Sequence, residues 1–246
     1  MDLVSVIIPY FKKIKFIEET INSVISQTYK KLEIIIIYDD KDRKDLSFIK
    51  KLKKNDKRIK VVVNKKSLGA GLSRNLGIRI SKGKFIGFID ADDMWKPNKI
   101  KLQLNIMKSK NYLISHTSYK IIDENNKVLG SRIARNFDNI DQLLKSCDIG
   151  LSTVMINKSL LKKKYKFPNL KTKEDFVLWL RILENNISIF SINKKLTNWR
   201  KTTNSLSSST LQKLLDGYRV YNIYMNFNPF KSLYYLFFLS YNFLKK

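Results

Sequence analysis

The sequence predicts an α/β fold in which a mostly parallel sheet is flanked by helices. Short apolar, β-branched runs alternate with amphipathic stretches through the first half of the 246-residue chain. This alternation is typical of βαβ units around a sheet that is buried on both faces. The composition is globular, with 43% hydrophobic residues and only 8 Gly and 4 Pro. A chain of this length supports one large domain, or a domain with a small appendage.

Four strands and four helices alternate in the first half. The predicted strands are Val4–Ile8, Leu32–Tyr38, Ile59–Val63 and Phe85–Ile89. The predicted helices run from about Phe16 to Thr28, from Leu46 to Lys54, from Leu72 to Ser81, and from Pro97 to about Lys108. Proline can open the last of these because its missing N–H is not needed in a first helical turn.

The pattern loosens in the second half. Short strands are predicted within residues 112–137, around a turn at Glu124–Asn126, and at Ser152–Asn157 and Ile187–Ile192. A helix is predicted at Asp175–Glu184, where the apolar residues follow a helical period. The polar, Ser-rich stretch Thr202–Thr210 predicts a loop.

From Phe227 to Leu244 the chain is aromatic and apolar, and it closes with two lysines. This stretch is short of the roughly 20 apolar residues of a membrane span. Aromatic residues with flanking lysines favour a helix that lies on an anionic membrane surface, through residues 227–246. A helix that packs on the globular domain or joins a dimer is the alternative, and the oligomeric state stays open.

The formal net charge of +27 favours polyanionic partners: nucleic acid, an anionic membrane face or phosphorylated substrates. The lysine clusters lack the interleaved aromatic residues of a nucleic-acid-binding surface, so no specific nucleic-acid partner is expected. A single cysteine, Cys147, excludes an intrachain disulfide, and the N-terminus lacks the pattern of a signal peptide. These features predict a cytoplasmic protein, peripheral on the inner face of the membrane.

An acidic cluster follows the fourth strand: Asp90, Asp92 and Asp93. In open α/β sheets, ligands bind at the carboxyl ends of the strands. Carboxylates there can combine with substrate phosphates to hold Mg²⁺ or Mn²⁺. An acidic turn that caps a following helix at Asp92 or Asp93 explains the same residues equally well.

Three further groups stand out. Asp39-Asp40 end the second strand in the same topological way, and a carboxylate there can accept hydrogen bonds from a base or from ribose; a plain loop is the alternative. Glycines and Arg74 begin the third helix, where N–H groups and a guanidinium favour phosphate. Glu174-Asp175 precede the amphipathic helix Phe176–Glu184, where an acidic pair is either an N-terminal charge or a catalytic base.

As a set, these residues resemble the family 2 glycosyltransferases of the GT-A fold, which build bacterial surface polysaccharides. The resemblance runs from Val4 to about Ser209, and several ordered motifs carry it. They are Ser5-Val6-Ile7-Ile8-Pro9-Tyr10, Ser23-Val24-Ile25-Ser26-Gln27-Thr28-Tyr29, Asp39-Asp40, Gly71-x-x-Arg74-Asn75-x-Gly77, Gly83 through Asp93, and Lys173-Glu174-Asp175-Phe176 with the residues to Arg181.

On the donor side, the resemblance implies that Pro9 and Tyr10 line the base site and that Asp40, beside Asp39, holds a uracil ring. Asp90-Ala91-Asp92 becomes the Asp-x-Asp motif that binds Mn²⁺ or Mg²⁺, with Asp92 the direct ligand and Asp90 assisting. Arg74 is expected near the base or the diphosphate of a nucleotide-sugar donor.

On the acceptor side, the resemblance implies that Asp175 is the general base of an inverting transfer to a glycan or lipid-linked acceptor. The segment Trp199–Ser207 resembles a stretch that closes over donor and acceptor, where either Arg200 or Lys201 meets the diphosphate.

The resemblance also implies a domain plan. Residues 1–209 form the GT-A domain, with a nucleotide-binding half at 1–110 and an acceptor-side half at 111–209, and 210–246 form a helical tail. A sugar nucleotidyltransferase is the alternative enzyme, but its glycine-rich N-terminal loop is missing after Pro9.

Overall fold

The computed structural model describes residues 1–161, 165–203 and 209–245. Its strands are β1 (Val4–Tyr10), β2 (Leu32–Tyr38), β3 (Ile59–Val63), β4 (Phe85–Phe88), β5 (Met94–Trp95), β6 (Ile114–Ile122), β7 (Val128–Arg132), β8 (Met155–Asn157) and β9 (Phe190–Arg200). Its α-helices are α1 (Ile14–Ile25), α2 (Leu46–Lys54), α3 (Ala70–Ile80), α4 (Lys99–Ser109), α5 (Asp141–Leu144), α6 (Glu174–Glu184), α7 (Thr210–Arg219) and α8 (Pro229–Leu244).

These strands form one mixed sheet in the order β3-β2-β1-β4-β8-β6-β9-β5, with β7 paired to β6. The first four strands in this order pair in parallel, as βαβ units require. Beyond β4 the pairing is antiparallel except between β6 and β9. One sheet therefore runs through both halves of the chain, and the division near residue 110 stays a prediction about function.

The sheet is buried on both faces because side chains of each strand alternate between two cores. Val4, Val6 and Ile8 of β1 join a cluster that includes residues of α1, α2 and α4. Ile7 points the other way, into a cluster with residues of α3 and α6. The apolar runs that predicted a doubly covered sheet thus serve two separate cores.

The predicted α/β class and the first four strands are confirmed, with shifts at the element ends. In the second half, the strand predicted at Ser152–Asn157 is a 3₁₀ turn, Leu151–Thr153, followed by β8. The strand predicted at Ile187–Ile192 begins later and continues to Arg200, because β9 pairs with β6 along most of its length. Short β5 was not predicted, since two residues carry no periodic signal.

The glycines before and within α3 set how closely this helix approaches the sheet. Gly69 has φ 86°, a left-handed conformation that favours glycine, just before the helix begins. A Cβ on Gly77 would lie 2.6 Å from Cγ2 of Ile7, so α3 packs tightly on β1. This close packing brings Arg74, between the two glycines, next to the carboxyl end of β4.

The C-terminal segment consists of α7, a π-helical turn (Val220–Tyr224) and α8. The α8 helix packs on the domain through Ser232 and Leu239, while its opposite side is exposed. Among the described residues, no helix is both long and apolar enough to cross a membrane. The predicted loop Thr202–Thr210 lies partly outside the described residues, at 204–208, as do 162–164 and 246.

Candidate active site

The predicted donor-binding residues of three strand ends meet at one edge of the sheet. Because β2, β1 and β4 are parallel neighbours, their carboxyl ends lie side by side. Asp39-Asp40 follow β2, Pro9 and Tyr10 end β1, and the acidic cluster that begins at Asp90 follows β4. The topology therefore brings the predicted donor-binding residues of all three strands to one edge.

Asp39 binds a loop of its own chain. Its carboxylate accepts hydrogen bonds from the backbone N–H groups of Leu68 and Gly69, each at 2.8 Å, and from Asn64 Nδ2 at 2.6 Å. Ser67 Oγ donates to the same carboxylate at 3.3 Å. The N–H groups before α3, which the sequence suggested for a phosphate, are thus bound to Asp39, and this carboxylate fixes the loop.

Asp40 and the aromatic pair beside it have fewer protein partners. Oδ1 of Asp40 accepts one hydrogen bond, from the N–H of Asp42 at 3.1 Å. Tyr10 is buried and stacks on Tyr38, with ring centroids 5.1 Å apart. Pro9 is half-buried at the end of β1. That Pro9, Tyr10 and Asp40 form a base site stays a prediction from the resemblance.

Arg74 joins the end of β4 to the start of α6. Its Nη2 donates to Asp90 Oδ1 and its Nη1 to Glu174 Oε1, both at 2.6 Å, and its side chain is only 4% exposed. Burial lowers the pKa of Arg74, but the two carboxylates outweigh burial and raise it. Arg74 is therefore a fixed cation that holds Asp90 and Glu174 together.

Asp175 lies beside this bridge in the first turn of α6. Burial and the negative charge of Glu174 raise the pKa of Asp175 to about 7, although Arg74 opposes the shift. One carboxylate oxygen accepts the N–H of Phe176 at 2.8 Å. A carboxyl with a pKa near neutrality is suited to take a proton from a hydroxyl group.

Asp92 is paired with a lysine that the sequence did not single out. Lys13 Nζ lies 2.7 Å from Asp92 Oδ2 and also donates to Thr202 Oγ1 at 2.9 Å. Burial, with a contribution from Asp90, raises the pKa of Asp92, while Lys13 lowers it. Between the two carboxylates of the predicted motif lies Ala91, whose side chain is buried in the core.

Asp93 is structural, and the alternative of a helix cap is wrong. The next helix, α4, begins only at Lys99 and its N-cap is Asn98. Asp93 is buried and accepts the N–H of Arg200 at 2.8 Å, which ties the acidic turn to β9. Burial and the charges of Asp92 and Asp90 raise the pKa of Asp93 well above its usual range.

Arg200 and Lys201 differ sharply in their surroundings. Every guanidinium nitrogen of Arg200 donates to a protein oxygen, and its side chain is 0% exposed. Its acceptors are the carbonyls of Asp92, Asp123 and Glu124 and the carboxylate of Glu19. Lys201 is exposed and lines a surface cavity of about 350 Å³ with Thr202, Thr203 and residues 123–125 and 129.

A divalent cation would find a small set of oxygen ligands here. In the part of the chain that the structure describes, no three His, Cys, Asp or Glu side chains converge on one metal position. Asp90 and Asp92 remain, and a cation, the ammonium of Lys13, already neighbours Asp92. Two carboxylates suit Mg²⁺ or Mn²⁺ when substrate phosphates supply further ligands, so the residues fit such an ion.

Sequence reasoning missed two residues that organise the site. Lys13 is one of many lysines, and only its place after β1, at the same sheet edge, could have indicated it. Ser152 accepts the N–H of Asp90 through its hydroxyl at 3.0 Å. Its contact joins residues 62 positions apart, which no local pattern in the sequence encodes.

An α/β sheet with acidic groups at the carboxyl ends of its strands and a fixed arginine beside them is the arrangement expected of a GT-A glycosyltransferase. The profile of Glycosyl transferase family 2 matches residues 5–170. The chain belongs to this family. Membership confirms the predicted glycosyltransferase over the alternative of a sugar nucleotidyltransferase.

Individual relatives support this assignment. The chain is 35% identical, over 95% of its length and 90% of the relative, to UDP-Glc:alpha-D-GlcNAc-diphosphoundecaprenol beta-1,3-glucosyltransferase WfgD of Escherichia coli. It is 39% identical to an uncharacterized glycosyltransferase of Rickettsia felis over 80% of this chain, but spans only 33% of that longer protein.

The fold is also that of a solved structure in complex with a nucleotide sugar. Residues 1–349 of Staphylococcus aureus TarS, in complex with UDP-GlcNAc, superpose on 96% of this chain with a TM-score of 0.76. The chain covers 70% of that structure at 21% sequence identity. This likeness confirms the predicted GT-A architecture.

Proposed function

We propose that the enzyme transfers a sugar from a UDP-sugar to a hydroxyl group of a lipid-linked glycan, with inversion at the anomeric carbon, in the synthesis of a bacterial surface polysaccharide. The observation that carries this proposal is the Arg74 bridge, which holds Asp90 of the donor edge and Glu174 beside the candidate base, Asp175. The likeness to WfgD, whose name gives UDP-Glc as donor and a diphosphoundecaprenol-linked acceptor, supports the substrate classes.

The donor nucleotide lies at the carboxyl ends of β1 and β2 in this proposal. One carboxylate oxygen of Asp40, Oδ1, accepts a hydrogen bond from the protein, and the other oxygen accepts the N–H of the uracil ring in this proposal. Pro9, which is half-buried, forms the surface beneath the base, and the buried ring of Tyr10 supports it from within the protein. Asp39, whose oxygens are held by the loop before α3, acts by shaping that surface.

A divalent cation, Mn²⁺ or Mg²⁺, is held by Asp92 with the assistance of Asp90. When bound, it neutralises negative charge on the departing diphosphate. Lys201 is the further cation that meets the diphosphate, because Arg200 has each guanidinium nitrogen already bound to protein oxygens. Arg74 keeps Asp90 in place through a charge-assisted hydrogen bond.

Asp175 is the catalytic base. It removes the proton of the acceptor hydroxyl as that oxygen forms a bond to the anomeric carbon. The bond between this carbon and the diphosphate oxygen breaks on the opposite face, and the nucleoside diphosphate leaves with the electron pair. A single displacement inverts the configuration.

The acceptor proposal includes the membrane. The exposed side of α8 is an apolar stripe at helical spacing: Phe230, Leu233, Tyr234, Phe237, Tyr241 and Leu244. A helix on a globular surface normally exposes polar residues. From residue 217 to 245 the charged residues are Arg219, Lys231 and Lys245, all of them positive. A second copy of this segment would place positive charges against positive charges, whereas an anionic lipid surface carries the opposite charge. We place the enzyme on the inner face of the cytoplasmic membrane.

The central experiment measures sugar transfer to a synthetic diphospholipid-linked GlcNAc acceptor with UDP-sugars and Mn²⁺. Asp175→Asn should lower turnover by about 10²–10⁴-fold, the usual contribution of a general base. Asp141→Asn, an exposed change of the same kind on α5, serves as the matched control. Wild-type turnover in the Asp175→Asn protein would disprove the role of the base.

A second experiment addresses the membrane. The full chain should float with vesicles of phosphatidylglycerol and phosphatidylcholine, and less with phosphatidylcholine alone. A double substitution, Phe230→Glu with Phe237→Glu, should abolish flotation, whereas Val128→Glu, at a residue on β7 that is 53% exposed, should leave it unchanged. If the double variant floated as well as the wild type, the membrane assignment would be wrong. It would also be wrong if the wild type formed a dimer that the double substitution weakened while flotation stayed unchanged.

A further inference from the structure

We propose that Lys13 is a counter-ion that exchanges partners: it neutralises Asp92 in the free enzyme and turns to the donor diphosphate when the metal and donor bind. The inference rests on the proposed function, since it takes Asp92 to be the metal ligand. It assigns a role in donor binding to a residue outside every motif that identified the family.

Lys13 lies close to the acidic cluster in a partly buried position. It lies in the loop between β1 and α1, at the same sheet edge as the acidic cluster. Its ammonium is 2.7 Å from Asp92 and 2.9 Å from the hydroxyl of Thr202, just beyond β9. The Lys13 and Asp92 side chains are only 20% and 14% exposed, so solvent screens this pair incompletely.

The Lys13 ammonium and a divalent ion compete for the carboxylate of Asp92. A divalent ion bound directly to Asp92 would lie within a few ångströms of the ammonium, and two cations at such a distance repel strongly in a partly buried site. Lys13 and the metal therefore exclude one another at Asp92. In the free enzyme the lysine keeps the carboxylate charged and ordered.

Once a metal binds Asp92, the displaced ammonium of Lys13 binds the donor diphosphate. Lysine carries a compact charge on a flexible four-carbon stem, so it can change partners without movement of the backbone. The donor brings a diphosphate to the same metal, which makes phosphate oxygens the new anions nearest to the displaced ammonium. A lysine is a common partner of phosphate as a point charge. Thr202 can continue to accept from it.

The exchange predicts that loss of the Lys13 ammonium changes Mn²⁺ affinity and UDP affinity in opposite directions. Removing the ammonium with Lys13→Met should tighten Mn²⁺ binding in the absence of nucleotide by several-fold, because the competitor is gone. The same change should weaken UDP binding in the presence of Mn²⁺ by about tenfold or more, the usual effect of losing one charge-assisted hydrogen bond. A residue with a purely structural role would weaken both.

The test uses the full chain, with free Mn²⁺ followed by electron paramagnetic resonance and UDP binding by calorimetry. Lys12→Met is the matched control, because Lys12 is an exposed neighbour on the same loop with the same charge. Lys13→Arg keeps the charge and should retain most of the UDP affinity. Thermal melts establish that each variant is folded.

Each outcome has a distinct meaning. Tighter Mn²⁺ with weaker UDP in Lys13→Met alone supports the exchange. Unchanged affinities, or equal losses in Lys13→Met and Lys12→Met, overturn it, and so does a loss of both ligands in folded Lys13→Met. If the wild-type protein bound neither UDP nor Mn²⁺, the proposed function itself would fail, and the inference with it.

Discussion

Two acidic strand ends occupy equivalent places in the sheet and have different partners. After β2, Asp39 is surrounded by neutral donors: two backbone N–H groups, an amide and a hydroxyl. After β4, Asp90 and Asp92 face the cations of Arg74 and Lys13. The neutral donors around Asp39 belong to the loop that it anchors, whereas a lysine ammonium beside Asp92 can be replaced by another cation. The topology makes both ends candidate sites, and the partners decide which end carries chemistry.

Of the substitutions that compare these two strand ends, Asp92→Asn is expected to have the largest effect. If the end of β4 carries the metal, turnover should fall by about 10²–10³-fold, since a metal at developing charge contributes several kcal/mol. The free energy of unfolding should change by less than about 1 kcal/mol, because an amide oxygen at position 92 can still accept a hydrogen bond from the Lys13 ammonium, whose flexible stem can also turn to solvent. Transfer assays and urea denaturation measure the two quantities.

Chelation is the control for this variant. Excess EDTA should lower wild-type turnover to a similar extent and should have little further effect on Asp92→Asn. If the wild-type enzyme kept full turnover in EDTA, activity would not depend on an exchangeable cation at the end of β4. The proposed difference between the ends of β4 and β2 would then be wrong.

The reverse pattern is expected for Asp39→Asn. An amide NH₂ would replace one of the oxygens that accept from the loop before α3, and a buried donor would then face another donor. The free energy of unfolding should fall by about 1–3 kcal/mol, the cost of leaving a buried polar group unsatisfied. Urea denaturation measures this loss, and Asp42→Asn, at an exposed position in the same loop between β2 and α2, is the control.

Turnover separates the two variants further. Below its melting temperature, Asp39→Asn should keep a larger fraction of wild-type turnover than Asp92→Asn. Equal stability of the Asp39→Asn and wild-type proteins would mean that the hydrogen bonds of Asp39 do not anchor the loop.

Much of this contrast lies beyond what the sequence can predict. The apolar runs placed β1 to β4 correctly, and with them Asp39, Asp40 and the acidic cluster at one sheet edge, because strand position follows from local periodicity. Which carboxylate would be saturated depends on how residues 64–69 fold back onto β2, a contact between segments about 25–30 positions apart. Periodicity carries no information on such contacts.

The same limit applied to the cations of the site. Arg200 and Lys201 are adjacent and chemically alike, so the sequence left both as candidates for the diphosphate. Their difference arises because β9 turns Arg200 inward against Glu19 and the carbonyls of the β6–β7 turn, while Lys201 points to the surface. A side chain's direction at a strand end is set by tertiary packing.

A third acidic pair, Glu174-Asp175, sharpens the comparison through pH. Arg74 binds Glu174 directly, whereas Asp175 has a pKa raised to about 7 by burial and by the charge of Glu174. A base works only when deprotonated, so kcat/KM should rise with pH through about 7 and be about tenfold below its plateau at pH 6. The groups that set this pKa are Glu174, Asp90 and Arg74.

The residual activity of Asp175→Asn is the control for this profile. It should lack the inflection near pH 7, because the titrating carboxyl is gone. An inflection at the same pH in this variant would assign the ionisation to another group, and Asp175 would lose its distinction from Glu174.

The smallest effect is expected at Asp40, the partner of Asp39 on the β2 side. If Asp40 accepts the N–H of a uracil ring, Asp40→Asn replaces a charged acceptor by a neutral one of the same shape. The loss corresponds to about 1 kcal/mol, or several-fold in KM for the UDP-sugar, with kcat nearly unchanged. Thermal shifts with UDP and CDP measure base preference directly, since a ligand of the native state stabilises it. Should UDP affinity and preference over CDP both survive the substitution, the end of β2 would contribute only the loop fixed by Asp39, and recognition of the base would have to come from β1.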